Sequence, residues 1–253
     1  MNTHGDTIQD QFTKQAHLFQ AAHKSAEDAI RQAISVSDVT DRDTVLDVAC
    51  GPGVLSCAFA KHAKHVTGID ITPSMLEEAK KLQASFRISN VTWHHCDVYR
   101  MPFADDRFSM VITRYAFHHM EHPELVLKEM VRVCEPNGKI VVVDSAPPAE
   151  KAQAFNAIEL KRDPSHTKAL TAEEVSQIMT DQGLLVERRH LYPWQVAADS
   201  LLSRSFPSDG DREKILRKYK ADVGKDRLAM DARYVEGVLW VTFPTLITVG
   251  RKR

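Results

Sequence analysis

The run Val45-Leu46-Asp47-Val48-Ala49-Cys50-Gly51-Pro52-Gly53, followed by Val66-Thr67-Gly68-Ile69-Asp70, constrains this chain more than any other feature. It reads as a buried strand, a tight glycine turn, a helix, and a second strand ending in an acid. That is a nucleoside-binding half of an open α/β sheet. Gly51 and Gly53 let the backbone bend sharply and approach a ligand closely. Asp70, at the carboxyl end of the second strand, is placed to accept both hydroxyls of a ribose. The glycine pattern narrows the nucleoside. A dinucleotide site wants G-x-G-x-x-G, because a pyrophosphate sits on the helix N-terminus. Here Ser56 holds the third glycine position and Pro52 lies between the first two. No Gly-Lys-Ser/Thr ending marks a P-loop. The site is built for a ribose-bearing ligand without phosphates, and S-adenosyl-L-methionine is the candidate.

Four blocks then resemble the class I S-adenosylmethionine-dependent methyltransferases, in the quinone-methyltransferase-like branch of small-molecule enzymes. They are Val45 to Gly53, Gly68 to Leu76, Cys96 to Phe103, and Phe108 to His119 followed by Pro136 to Asp144. The resemblance implies a Rossmann-like α/β fold: a seven-stranded, mainly parallel sheet with an antiparallel last strand, helices on both faces and a helical cap. It also implies that Asp97 accepts the adenine amino group and that Val98 offers its backbone N–H to the ring. It places residues facing the substrate or the methyl group after the fourth strand.

The pattern along the chain fits one domain over residues 1–253, with residues 1–40 as an N-terminal helical cap. Thr7 to Ser35 reads as a helix, with Phe12, Ala16, Phe19 and His23 near one face. Strands are expected at Val45–Val48, Val66–Asp70, Val91–His95, Phe108–Thr113, Lys139–Asp144, Leu184–Leu191 and Val238–Val249. Thr72 reads as an N-cap with Pro73 at the first helical position. Glu77 and Lys81 form a favourable i,i+4 pair, and Thr171 to Glu174 a capping box. Trp194 to Asp231 reads as a helical insertion before the last strand. It carries Trp194, Leu201, Leu202, Phe206, Ile215, Leu216 and Tyr219, more apolar side chains than a surface helix pair must bury. It is therefore expected to wall an acceptor pocket or to make a homodimer contact.

At the sheet's carboxyl edge the candidate cofactor-binding residues are Asp47, Ala49, Gly51, Gly53, Asp70, Ile71, Asp97, Val98 and Arg114. Several have a structural alternative. Asp70 complements a helix N-terminus, Asp97 caps a loop, and Ile71 and Met101, expected as apolar faces for adenine, equally serve the core. Asp47, inside a strand, needs donors; glycine-loop amides, or the methionine ammonium through water, are the expected ones. Arg114 is placed for the cofactor carboxylate or an anionic substrate, its alternative being a salt bridge to a neighbouring acid. His118 and His119 are the candidate catalytic bases, their alternative being a helix cap and loop packing. A metal held by His118, His119 and His122 lacks a fourth ligand, so none is expected.

Composition excludes other classes. Of 253 residues, 43% are hydrophobic and 26% charged, as in globular domains. A net charge of −1 gives no field for nucleic acid or anionic membrane. No apolar run reaches the ~18 residues of a membrane span, and the polar start lacks a signal core, which points to the cytoplasm. Cys50, Cys57, Cys96 and Cys134 form no C-x-x-C pair and read as reduced, mostly buried thiols. The fourth block lacks Asn/Asp-Pro-Pro-Tyr/Phe, and no Pro-Cys pair of the cytosine type occurs. Methyl transfer to a small molecule, at O, N or C, is the expected function. The alternatives are a different reaction on the same cofactor, a non-catalytic S-adenosylmethionine-binding protein, and a NAD oxidoreductase, which the missing third glycine disfavours.

Overall fold

The computed structural model describes residues 3–16 and 23–253, with residues 23–26 described by backbone alone. Strands β1 (Thr44–Val48), β2 (His65–Asp70), β3 (Val91–His95), β4 (Phe108–Arg114) and β5 (Cys134–Ser145) run parallel. β6 (Leu184–Ala197) and β8 (Val238–Lys252) complete the sheet in the order β3-β2-β1-β4-β5-β8-β6. β8 is antiparallel to both its neighbours, β5 and β6. A short β7 (Arg233–Val235) folds back on β8 as a hairpin, an eighth strand beyond the seven that the hydrophobic runs suggest. The chain reverses its direction of travel across the sheet between β1 and β4, the place where open α/β sheets bind ligands.

The period-two alternation of strands sorts the sheet's side chains into two cores. Leu46, Val48, Ile69, Val111, Ile140 and Val142 face one side, under α5 (Pro123–Val133) and α7 (Ala172–Asp181). Val45, Val66, Met110, Ile112, Val141 and Val143 face the other, under α2 (His23–Ser37) and α3 (Val54–Phe59). α4 (Pro73–Ser85) begins as its sequence directs, Thr72 extended at the N-cap and Pro73 after it, and buries Met75, Leu76, Ala79 and Leu82. Thr171 and Glu174 close the expected capping box of α7.

Three expectations need correction. The N-terminal segment carries two helices among the described residues, α1 (His4–Gln15) and α2, not one. α1 packs beside α4, whereas α2 lies on the sheet. Phe19 lies outside the described residues, and of His23 only the backbone is described. Lys81 pairs with Glu78, at 2.7 Å, rather than with Glu77. Finally, Trp194 to Ala197 are strand, because the β6–β8 ladder continues to Ala197 opposite Trp240. The helices of the insertion start at α8 (Ala198–Ser203) and continue with α9 (Asp211–Asp222).

β5 stops pairing with β8 at Thr245, but β6 and β8 go on as a two-stranded arm, Pro193–Ala197 against Trp240–Pro244. Neither Pro193 nor Pro244, which face each other, has an N–H to give the ladder. The arm, α6 (Ala149–Arg162), α8 and α9 enclose a third core around Phe155, Ile158, Val241, Ile215 and Tyr219. No described helix is long and apolar enough to cross a membrane.

Candidate active site

After β1 the backbone turns through left-handed conformations at Ala49 (φ 57°), Gly51 (φ 53°) and Gly53 (φ 75°) before α3 begins. An alanine held there costs backbone energy, a form of strain that concentrates at functional sites. Asp70 ends β2. Its carboxylate accepts the Gly51 N–H and the Thr72 N–H, each at 2.8 Å, so one side chain holds the loops after β1 and β2. Burial pushes the Asp70 carboxyl up, against the pull of those two amides. A carboxylate has about four acceptor sites, so capacity remains for a diol.

The two glycines differ. Gly51 lines a cavity of about 480 Å³, and a Cβ built on it would meet no atom within 4 Å. Gly53 is not in the cavity wall. Its Cβ would fall 2.5 Å from the Trp93 ring and 2.8 Å from Ala79 Cβ. The same ring lies against Gly68, 2.5 Å from a Cβ there. Gly53 is thus required by packing under Trp93.

Asp47, Ala49, Asp70, Ile71, Asp97, Val98 and Arg114 all line the cavity. Met101 does not; it is buried in the core beneath α5. Asp47 accepts from Ser56 Oγ at 2.5 Å, a donor the sequence reading did not name, and burial raises it to about 7. Asp97 accepts the Tyr99 N–H at 2.9 Å, as a loop cap does. Arg114 stacks its guanidinium 4.7 Å from the centre of the Tyr115 ring, and its buried Nε has no hydrogen-bond partner among the described residues. Burial pulls its pKa down, while Tyr115, Asp47 and Asp144 oppose that.

His118 and His119 lie buried on a 3-10 turn, Phe117–His119, after β4. His118 Nδ1 sits 2.5 Å from Asp144 Oδ1, at the end of β5, and its backbone N–H also reaches that carboxylate. Burial pulls the His118 pKa down, but the Asp144 charge and hydrogen bond outweigh it and the net shift is upward. Its Nε2 has no hydrogen-bond partner among the described residues, and the residue lines the cavity. His119 is held differently. Ser165 Oγ donates to Asp163 at 2.6 Å and lies 3.0 Å from His119 Nδ1, so Nδ1 is the donor there and Nε2 the bare nitrogen. Burial and the adjacent His118 hold His119 down at about 3. His166, 5.5 Å from His118, donates from Nε2 to Asn156 and is pulled down to about 2, mainly by burial. His122 stands apart at the surface with Glu124. Among the described residues no three His, Cys, Asp or Glu groups converge to hold a metal.

The outer half of the cavity is walled by α1 through His4, Ile8, Phe12 and Gln15. The Glu159–Arg162 pair of α6, Leu201, Arg204 and Ser205 around α8, and Trp194 with Phe243 from the arm complete it. Phe206, Ile215 and Tyr219 are not in this wall. Asp144, Ser165, His166 and Arg204 were not marked by sequence. Asp144 had a signal, since it ends a strand at the carboxyl edge. The others come from loops and a helix end whose place in space no local pattern gives.

A family model described as a methyltransferase domain matches residues 40–198. Over 211 residues the chain is 26% identical to the methyltransferase YcgJ of Bacillus subtilis, covering 82% of this chain and 83% of that protein. Over 108 residues it is 37% identical to the ubiquinone/menaquinone biosynthesis C-methyltransferase UbiE of Desulfotalea psychrophila, covering 42% of this chain and 43% of that one. The match to that quinone enzyme thus spans less than half of its length. The crystal structure of the Bacillus YcgJ protein superposes with a TM-score of 0.82 at 21% identity, over 90% of this chain and 99% of that one.

Proposed function

The chain belongs to the S-adenosylmethionine-dependent methyltransferases of class I, and on that premise we propose that it methylates a small molecule seated between the histidine pair and the helices above it. The observation that carries this reading is continuity. One cavity runs from Gly51 and Asp70 past Arg114 to His118 and on to α1 and α8. In this reading residues 1–253 act as one domain, with α1 and α8 capping the cavity.

The residues present fit the methyl donor. Asp70 keeps acceptor capacity for a ribose diol, and Ile71 and Val98 offer apolar contact for adenine beside Asp97. The unpartnered Arg114 Nε suits a carboxylate. When bound, the donor supplies a methyl group on a sulfonium, open to in-line displacement. The protein's part is to orient, to exclude water and to move a proton. His118 is the base in this assignment. Asp144 fixes Nδ1, leaves Nε2 toward the cavity and stabilises the imidazolium once Nε2 has taken the acceptor's proton. His119, held neutral, packs beside it with ring centres 4.1 Å apart.

The test is calorimetry with S-adenosylhomocysteine, then labelled S-adenosylmethionine with a panel of small phenols, enols and amines. Asp70→Ala removes charge-assisted hydrogen bonds of about 1.5–3 kcal/mol each, so affinity drops about tenfold or more. Unchanged affinity in Asp70→Ala would overturn the ribose assignment. Label that stays on the donor with every acceptor counts against transfer to small molecules.

A further inference from the structure

The buried carboxylates in and just behind the outer cavity wall are all partnered. Asp144 is held by His118, Glu159 by Arg162 at 2.7 Å, and Asp163 by the Ser165 hydroxyl and N–H with Gln15 beyond. The cations are not balanced in the same way. Arg162 spends its donors on Glu159 and on Ser205 Oγ. Arg204, at the C-cap of α8, lines the same cavity half-buried, and its Nε reaches only the Ser200 carbonyl of its own helix, at 3.1 Å. It has no acid partner among the described residues, and the charged group acting on it is Arg162, which together with burial depresses its pKa. A half-buried guanidinium in a cavity wall with no acid partner keeps donors that an anion would satisfy. The rigid fork of arginine matches the geometry of carboxylate and phosphate oxygens. Beside Arg204 the wall turns apolar at Leu201, Trp194 and Phe243.

We propose that the methyl acceptor carries an oxyanion group, carboxylate or phosphate, which Arg204 receives beside Arg162 while the apolar body of the molecule lies against Trp194 and Phe243. This rests on the reading of the cavity as a methyltransferase site and adds the class of its acceptor. A neutral acceptor would leave the Arg204 guanidinium in the cavity wall without an acid partner. An acidic aromatic or alicyclic compound, its anion on Arg204 and its reacting atom toward His118, completes the site.

The experiment uses matched fragments on the full chain saturated with S-adenosylhomocysteine: 4-hydroxybenzoate, phenyl phosphate, and the neutral 4-hydroxybenzamide, with binding followed by ligand-observed NMR. At least one anionic fragment binds about tenfold tighter than the amide, as a charge-assisted bidentate contact requires, and whichever anion wins names the group. Arg204→Gln abolishes the preference and leaves the amide unchanged, while Arg204→Lys keeps part of it. Equal binding of all three fragments to wild type overturns the proposal, as does a preference that survives Arg204→Gln. S-adenosylhomocysteine affinity, measured alongside, stays the same in both variants. If wild type fails to bind it, the methyltransferase reading falls, and the same fragment comparison on the unliganded protein still decides the anion site.

Discussion

Gly51 and Gly53 are two residues apart, share a left-handed backbone, and should fail in opposite ways when given a methyl group. For Gly51→Ala the cost to folding is the left-handed alanine alone, about 1–2 kcal/mol, because no atom lies within 4 Å of the new Cβ. At about 2–4 °C per kcal/mol for a chain of this size, the melting temperature drops by about 2–8 °C. The methyl stands on a wall of the cavity, however, so S-adenosylhomocysteine affinity falls about tenfold or more. Gly53→Ala carries the same backbone cost plus overpacking, since Cβ would lie 2.5 Å from Trp93 and 2.8 Å from Ala79. Overpacking adds about 1–3 kcal/mol, for a total of about 2–5 kcal/mol and a melting shift of about 4–20 °C. Affinity of the fraction that remains folded changes little. Trp93→Phe, which shortens the ring at the point of conflict, should make Gly53→Ala less costly in that background than in wild type. Differential scanning calorimetry and titration on the four proteins and Gly51→Ala decide the matter. Equal thermal losses at the two glycines, or no coupling between Gly53 and Trp93, would refute this division of roles.

Two further outcomes concern the histidines. His118 must be unprotonated to act as a base, and its pKa is shifted above the ordinary value, so turnover rises as pH climbs through that raised pKa. Asp144→Asn removes the stabilising charge and moves this limb to lower pH, while His118→Ala costs about a hundredfold or more in turnover; a profile that Asp144→Asn leaves in place rejects the dyad. His166 is buried with its pKa depressed to about 2, so below the unfolded value of about 6.5 the unfolded chain takes up a proton that the folded chain refuses. Stability falls with pH in that window by up to about 1.4 kcal/mol per unit from this residue. Because Asp47, raised to about 7, acts in the opposite direction, the comparison is with His166→Gln. Urea denaturation between pH 7 and 4.5 should show the variant gaining on wild type as pH falls, and a constant difference would mean His166 is not buried neutral.

The half of the cavity around Gly51 and Asp70 was legible because it is made by local rules. A buried strand, a glycine turn and a strand-end acid occur within 26 residues of sequence, Val45 to Asp70, and their meeting follows from strands being adjacent. Even there the two glycines looked equivalent, since nothing in Gly-Pro-Gly says that Trp93, on β3, will lie over one of them. The outer half is assembled by long-range contacts. Asp144 meets His118 across 26 residues and Ser165 meets His119 across 46. Asp163-Pro164-Ser165-His166 reads locally as an ordinary turn. The helical insertion was recognised by its apolar surplus, yet most of that surplus, Ile215 and Tyr219 among it, went into a third core. Only Trp194, Leu201 and their immediate neighbours reached the cavity. The boundary at Trp194 was misplaced because an aromatic residue after a proline suits a strand and a helix start equally.

The two-stranded arm has a consequence for how this scaffold changes over evolutionary time. Trp194 and Phe243 sit opposite each other on it, and their rings pack 5.2 Å apart beside the cavity. What holds them in place is backbone pairing, which does not depend on which side chain a residue bears. A pocket walled this way is re-lined by exchanging one or two side chains at alternate positions of a ladder, with no loop to rebuild and no change at Asp70 or Gly51 on the far side. On the proposed reading, variation in acceptor size is then decoupled from retention of the methyl donor. One lineage of such proteins can explore many acceptors while the donor site stands still.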